Sequence, residues 1–461
     1  MFEYPHLKKG VMIYCGDEGN FLLINPYYVS SRKLSRLGND ESVILRKTTG
    51  SNTIKNISRS LKISEKDVLR VINKFSSPEW NAIELLDRSL ARLKTKQIKG
   101  DGYRSIAKLL HSEFFIAKRF KEDSEAIKKY HRQEISDALE QFNAVELTVS
   151  HTYREPHVLL KYRNYGAAFA DALIKKGAVR KGISILEIGG GTGILGKSFL
   201  DQTKEAAPEI YKTIKYVFFD LSPTLLKSQQ KMSQGHRNIV RFIEGDIESY
   251  NFRDEKFDLI ISNEMIADLN VVKLTQADIE NPSVLTGDKR RAVDIISKYE
   301  INISGAPKEF LFNLKAIEFL ILIKKILKPG GKAFIVEYGN QFKYSAPKVL
   351  KGHVEYSIHF GHLKRVAQKL HMLPKLSYLT DFLGFDKNTK VVDKISWFGI
   401  NDYLLPFLKR KSLSKKVYTE KMIKEEIGSV FNRLSLVSFS YVGEGETLLD
   451  PGTFLVLELK G

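Results

Sequence analysis

The chain has 461 residues, 43% of them hydrophobic and 28% charged, the balance of an ordinary globular protein long enough for two or three domains. Its single cysteine, Cys15, excludes an internal disulfide and suits a reducing compartment, so a cytoplasmic protein is expected. The opening Met-Phe-Glu-Tyr-Pro-His lacks the basic start and apolar core of a signal peptide, no apolar run approaches the ~18 residues a membrane helix needs, and the net charge of +19 fits either plain solubility or an acidic partner.

Residues 1–77 read as a separate small module. Val11-Met12-Ile13-Tyr14 and Phe21-Leu22-Leu23-Ile24 are short strands around the turn Gly16-Asp17-Glu18-Gly19, which makes a hairpin. A third extended piece is expected from Tyr28 to Leu34. Three short helices follow: one through Ser42 to Lys47, stopped at Gly50; one with Ile54, Ile57 and Leu61 on a face; and one opened by the capping sequence Ser64-Glu65-Lys66-Asp67, with Val68, Ile72 and Phe75 on a face. A hairpin with three helices is a winged-helix layout. Lys9-Gly10-Val11, the run Phe21 to Pro26 and the Gly50 stop resemble the PqqD-like family, the peptide-recognition element of ribosomal peptide modification systems. The resemblance implies binding of a precursor peptide's leader by strand addition. Leaders of that class are commonly acidic, and residues 1–77 carry 13 Lys and Arg against 7 Asp and Glu. A DNA-binding winged helix, or a domain that only packs, are the alternatives.

Residues 78–150 read as a helical connector, serving as a lid or a dimer arm, so a homodimer stays open. Ile83, Leu86 and Leu90 fit one helical stripe, and Ile106, Leu109, Leu110, Phe114 and Ile116 another. His151 and His157 flank a loop before the helix that runs from Tyr165 to Ile174, and surface positions are expected for both.

From residue 151 onwards the pattern is strand, turn, helix. Ile183 to Ile188 is an apolar run containing Glu187, and the glycine turn Gly189-Gly190-Gly191-Thr192-Gly193 leads into a helix. A second strand ends in Asp220, a third is followed by Gly245-Asp246, and a fourth, Phe257 to Ile261, ends at Ser262-Asn263-Glu264. The stretch 268–308 either serves function directly or holds short helices of its own. A buried helix with Leu311, Leu314, Ile317, Phe319, Ile321 and Leu327 precedes the turn Pro329-Gly330-Gly331 and the strand Ala333 to Glu337. Leu436 to Tyr441 and Thr453 to Leu459, around a Gly-Glu-Gly turn, read as an antiparallel hairpin.

This ordered series resembles the class I S-adenosylmethionine-dependent methyltransferases over roughly residues 150–461. The expected fold class is therefore α/β: a Rossmann-like methyltransferase sheet at 151–461, a winged-helix-like α+β domain at 1–77 and the connector at 78–150. The terminal hairpin would supply the sixth and seventh strands. Ligands of such sheets lie across the carboxyl ends of the strands. The resemblance implies S-adenosylmethionine as cofactor, with Gly189, Gly191 and Gly193 against its methionine and ribose, and Glu187 orienting the loop. Asp220 would accept from both ribose hydroxyls and Asp246 from the adenine amino group, with Asn263 counted in the same set. A nicotinamide dehydrogenase would use a similar loop but leaves Asp246 and Asn263-Glu264 without an account. No metal ligand set is expected.

Ser262-Asn263-Glu264, with Asp268-Leu269 after an apolar pair, resembles the MidA-type methyltransferases, as do Gly352 to Phe360 and Thr380 to Gly384. That family's chemistry implies methylation of a protein arginine. Glu264 would hold the planar guanidinium, and His359 or Asp268 would receive the proton after transfer. The sequence departs from the family: Asn270 replaces a proline and Gly190 stands where proline is common. The leading expectation is a peptide methyltransferase of ribosomal peptide biosynthesis. The competing class is a nucleic-acid methyltransferase, towards which Asn25-Pro26-Tyr27-Tyr28 points by its likeness to a base-holding loop. A non-catalytic assembly factor is a third.

Overall fold

The computed structural model describes residues 4–8, 11–17, 19–24, 34–86, 148–349 and 354–461. The chain divides into two compact units, Met1–Phe114 with Asn388–Leu449, and Phe115–Lys387 with Asp450–Gly461.

In the first unit β1 (Tyr4–Leu7), β2 (Val11–Gly16), β3 (Gly19–Ile24) and β4 (Leu34–Leu37) precede α1 (Asn39–Lys47), α2 (Ile54–Leu61) and α3 (Glu65–Ser76). The hairpin and three helices stand where the sequence puts them. Thr53 caps α2, and the Ser64 hydroxyl accepts from the Asp67 N–H at 3.1 Å to cap α3. Ile44, Ile57, Val68, Ile72 and Phe75 meet in one core. Most of the third extended piece, the Asn25-Pro26 loop and Lys9-Gly10 lie outside the described residues.

Two expectations for this part of the chain are corrected. Ile83–Leu86 is not helical: it is β5, antiparallel to β1, with Ile83 opposite Leu7. Apolar residues at i and i+3 over four positions fit either structure, and the deciding partner lies far away in sequence. The rest of the expected connector, up to residue 147, lies outside the described residues. The second correction concerns 388–449, expected within the sheet domain. Its Trp397, Ile400, Leu404, Tyr418 and Ile423 pack with Met12, Tyr14 and Phe21, and Leu434–Ser435 pairs with β2. The first unit is thus closed by a late stretch of chain.

The second unit is organised by one twisted sheet. Its strands are β6 (Ser184–Ile188), β7 (Lys215–Asp220), β8 (Val240–Glu244), β9 (Phe257–Asn263), β12 (Leu327–Asn340), β13 (Leu373–Tyr378) and β14 (Phe454–Lys460), with β10 (Val272–Thr275) and β11 (Glu309–Phe312) forming a separate antiparallel pair. The order across the sheet is β13-β14-β12-β9-β6-β7-β8. All neighbours are parallel except that β14 runs against both β12 and β13. Parallel strands require crossovers, and most of these carry helices. α4 (Val149–Thr152) and α5 (Tyr165–Lys175) precede the first strand, α6 (Ile194–Ala206) follows β6, α7 (Pro223–Met232) follows β7, and α8 (Gly287–Lys298) and α9 (Leu314–Ile326) precede β12; the connection from β8 to β9 has no helix. α10 (Phe360–Lys369) precedes β13.

Side-chain alternation sorts the two faces. Leu186, Ile188, Val217, Phe219, Ala333, Ile335, Leu455 and Leu457 share a core with α9 and α10. Glu187 and Phe218 point the other way, where Gly196 of α6 leaves them room: a Cβ there would lie 2.5 Å from each. The expected terminal hairpin is corrected. β14 pairs with Leu373–Tyr378, whereas Phe439–Tyr441 pairs with Lys390–Val392 in the first unit. A period-two run marks a strand but does not name its partner, and the turn between 441 and 453 suggested a local one. The stretch 268–308 holds β10 and α8, and Leu311 belongs to β11 rather than to the helix that follows.

Candidate active site

β6 ends in a turn that only glycine makes cheaply. Gly189 has φ of 70°, and a Cβ on it would lie 2.5 Å from Met265 Cγ. Gly193 caps α6 with φ of 89°, its missing Cβ leaving room for the Gln229 backbone. Over this turn and the neighbouring strand ends lies a cavity. Of the residues expected at the site, Glu187, Gly189, Gly191, Asp220, Asp246, Asn263, Glu264 and Asp268 line it; Gly193 and His359 do not.

Glu187 is 1% exposed, and its Oε2 accepts from the Tyr216 hydroxyl at 2.8 Å. Burial pushes its carboxyl up to about 8, against the opposing Tyr216 hydrogen bond and with help from the Asp220 charge. It is therefore largely protonated at neutral pH, and its other oxygen, Oε1, has no hydrogen-bond partner in the protein.

Asp220, at the tip of β7, is 6% exposed. Gln229 Nε2 donates to its Oδ2 at 2.8 Å, and the Ser222 N–H to its Oδ1 at 3.0 Å. The same Gln229 amide donates to the Gly191 carbonyl at 2.9 Å, tying the acid to the glycine turn. A carboxylate's two oxygens match the two hydroxyls of a vicinal diol. Asp246 Oδ1 accepts from the Glu248 N–H at 3.0 Å, which shapes the turn after β8.

At the end of β9 the Tyr165 hydroxyl donates to Asn263 Oδ1 at 2.5 Å, and Asn263 Nδ2 donates to Glu264 Oε1 at 3.0 Å. Glu264 also receives the Val149 N–H on Oε2 at 2.7 Å, and on Oε1 the Ser150 N–H at 3.1 Å and hydroxyl at 3.3 Å. Burial pushes its carboxyl up; the Val149, Ser150 and Asn263 donors oppose that, and Glu355 adds to it. With three donors on Oε1 and one on Oε2, the carboxylate is taken up by the protein's own groups, and the hold on a planar guanidinium expected of Glu264 is not open to it.

His359 is corrected more fully. Its Nδ1 accepts from the His362 N–H at 3.2 Å to cap α10, its ring stacks on His362 with centroids 3.6 Å apart, and burial holds it below the usual imidazole range. It is a structural cap, away from the cavity. Gly352 and His353, part of the run read with it, lie outside the described residues.

Sequence reasoning missed several residues. Thr148, Ser150 and His151 line the cavity, and His151 is 4% exposed rather than on the surface. Glu355 lines it too, and Glu337 is buried beside this region, accepting from the Ala267 N–H at 3.1 Å. Gln229 sits on α7 with nothing to mark it except helical spacing. For Glu337 a signal existed: it is a fourth acid at the carboxyl end of a predicted strand.

Residues 166–353 match the family model described as Putative S-adenosyl-L-methionine-dependent methyltransferase. The cofactor is S-adenosylmethionine. The buried diol acceptor, the turn that a Cβ would close and the partnerless Glu187 oxygen suit that molecule's polar groups. The sheet order is that of the class I methyltransferases. Among solved structures, a COG1565 superfamily member from Burkholderia thailandensis, bound to S-adenosyl-homocysteine, is similar at 13% identity over 78% of this chain and 92% of that one, with a TM-score of 0.41. The DhpI-SAH complex is similar at 12% identity over 55% and 90%, with a TM-score of 0.32. The glycopeptide N-methyltransferase MtfA is similar at 14% identity over 48% and 90%, with a TM-score of 0.28. None of the curated proteins compared with the chain matches it. Among the described residues no helix is long and apolar enough to cross a membrane, and no group of three or more His, Cys, Asp or Glu could hold a metal ion.

Proposed function

We propose that this S-adenosylmethionine-dependent methyltransferase acts on a cationic nitrogen of a peptide side chain, an arginine guanidinium. One observation carries the reading. In a chain of net charge +19, the described residues lining the cavity include Glu187, Asp220, Asp246, Glu248, Glu264, Asp268 and Glu355, and neither lysine nor arginine. Glu187 and Asp220 belong to the cofactor end by their place on β6 and β7. Glu264, Asp268 and Glu355 lie beyond β9, where an acceptor must meet the methyl group. A negative potential there favours a cation and disfavours a phosphodiester.

The cofactor supplies an electrophilic methyl group. The chain's own residues then have three tasks. Asp220 and the glycine turn fix the cofactor's position. Asp268 and Glu355 attract and orient the guanidinium, whose lone pair is delocalised until a carboxylate draws charge to the far nitrogens. A carboxylate among them receives the proton released on transfer. The Lys348 ammonium pairs with Glu355 at 2.8 Å and would have to yield to the substrate cation.

The first unit's part in this reading is leader-peptide binding. Two features support it: a hairpin followed by three helices, in a stretch whose sequence resembles the PqqD-like family, and an excess of six positive charges over residues 1–77 for an acidic leader. Genes neighbouring the coding sequence would supply the peptide. Incubation of such a precursor with labelled cofactor should place methyl groups on arginine, as read by fragment mass spectrometry. Methyl groups on a carboxylate, a backbone nitrogen or a nucleic acid would refute the reading.

A further inference from the structure

Glu264 is a non-glycine residue in the left-handed region, with φ of 54°. For an L-residue that conformation costs about 1–2 kcal/mol, and it persists only where the surroundings hold it. What holds it is on both sides of the residue. Its N–H donates to the Val336 carbonyl at 2.8 Å, continuing the register of β9 with β12. Its carboxylate takes four donors, three of them from Val149 and Ser150.

Those donors belong to the segment that walls the cavity. Thr148, Ser150 and His151 line it together with the glycine turn. A short helix of four residues has little stability of its own, so its position must come from tertiary bonds. Thr148 caps it, with its hydroxyl accepting from the His151 N–H at 3.1 Å, but this bond is internal to the segment. Three bonds tie the segment to Glu264, just past the end of β9. A second tie follows 15 residues later in the chain, where Tyr165 donates to Asn263, and Asn263 donates to Glu264.

We propose that Glu264 is a positioning residue that latches residues 148–152 over the cofactor, and that it sets how fast the cofactor exchanges. The inference rests on the reading of the cavity as the S-adenosylmethionine site. A carboxylate offers about four lone-pair positions. Here one residue spends them on backbone and side-chain donors of the closing segment and of Asn263. The strained backbone is the cost of aiming it there.

The test uses the full chain and S-adenosylhomocysteine as probe. Glu264→Gln replaces an acceptor oxygen with an NH2 group facing N–H donors. It should weaken binding about 10–100-fold, mostly as faster dissociation in stopped-flow displacement, and should speed amide exchange at Val149 and Ser150 in the unliganded protein. Val149→Pro removes one donor at the first helical position, where proline is tolerated, and leaves the acid intact. It should act in the same direction and more weakly. The double variant should be no worse than Glu264→Gln alone, because both break one interaction. Unchanged dissociation and exchange in Glu264→Gln, or effects of the two variants that add in full, would overturn the latch. If the wild-type protein bound no S-adenosylhomocysteine, the cofactor reading would fail. The exchange rates at 149 and 150 would then still decide whether Glu264 holds the segment.

Discussion

Two ends of one strand show opposite treatments of the same chemical group. Asp258 stands near the start of β9 and Glu264 just past its end. Asp258 is nearly buried, with Arg180 on Oδ1 at 2.7 Å, Lys328 on Oδ2 at 2.7 Å and Ser184 donating from both its N–H and its hydroxyl. Burial alone would raise its pKa, but Lys328 and Ser184 outweigh it and hold the carboxyl down at about 2. At the other end the hydrogen bonds to Glu187, Glu264 and Glu337 come from tyrosine, serine, asparagine and backbone groups of the described residues, and burial raises all three. The acid at the strand starts is compensated and serves stability. The acids at the strand ends lack such a partner, and burial moves them towards the protonated form, an arrangement that adds nothing to folding and fits groups kept for a binding site.

The sharpest break in this contrast comes at the glycine turn. Gly189→Val would force a β-branched residue into φ of 70° and drive its Cβ into Met265. Strain and overpacking together should cost about 2–5 kcal/mol. The expected outcome is a lower melting temperature and loss of measurable cofactor binding in calorimetry. Retained affinity would remove the turn from the site. Next in size, Asp220→Ala removes the buried diol acceptor and should weaken cofactor binding by about 1–3 kcal/mol, or roughly 5–150-fold. S-adenosylhomocysteine lacking its ribose hydroxyls should bind wild type and variant alike. A full loss on that analogue would assign Asp220 a different contact.

Asp258 tests the other end. Its folded-state pKa of about 2 lies below the ordinary 3.8. The stability it contributes is therefore present above pH 4 and is lost as pH falls through 2. By linkage it amounts to about 2 kcal/mol. Asp258→Asn should lower stability to denaturant by about that amount at pH 7, and the gap to wild type should close as pH falls from 4 towards 2. Cofactor affinity in the folded variant should not change. An affinity loss matching that of Asp220→Ala would erase the distinction between the two ends.

These cases also mark what the sequence can reveal. The glycine turn, Asp220, Asp246 and Asn263-Glu264 were legible because each follows an apolar strand run at a fixed place, and a parallel sheet gathers such places along one edge. Strand partners over long distances were not legible. Nothing in Ile83–Leu86 names Tyr4–Leu7, and nothing in Phe454–Lys460 names Leu373–Tyr378. Gln229 and the segment 148–152 escaped for a related reason. Their importance comes from which acid they reach across the fold, and a Gln on a helix or a Thr-Val-Ser-His run carries no local sign of it.

His359 gives the smallest and most discriminating test. By sequence it stands in a run resembling one in the MidA family, and a buried histidine near an acidic site invites a role in proton transfer. In the fold its Nδ1 accepts from the His362 N–H, so the imidazole acts as the cap of α10, a task that requires the neutral ring. Burial holds it below the usual imidazole range, the direction that favours the cap. Asparagine offers a side-chain oxygen for the same bond. His359→Asn should therefore cost no more than about 1 kcal/mol of stability and leave turnover within about twofold, with the same pH profile. His359→Leu keeps the apolar contacts but removes the cap, and should cost about 1–2 kcal/mol of stability with turnover per folded molecule still unchanged. A turnover loss of 100-fold or more in His359→Asn, with a melting temperature close to wild type, would return the ring to the chemistry. The acids that line the cavity would then have to share proton transfer with a residue outside it.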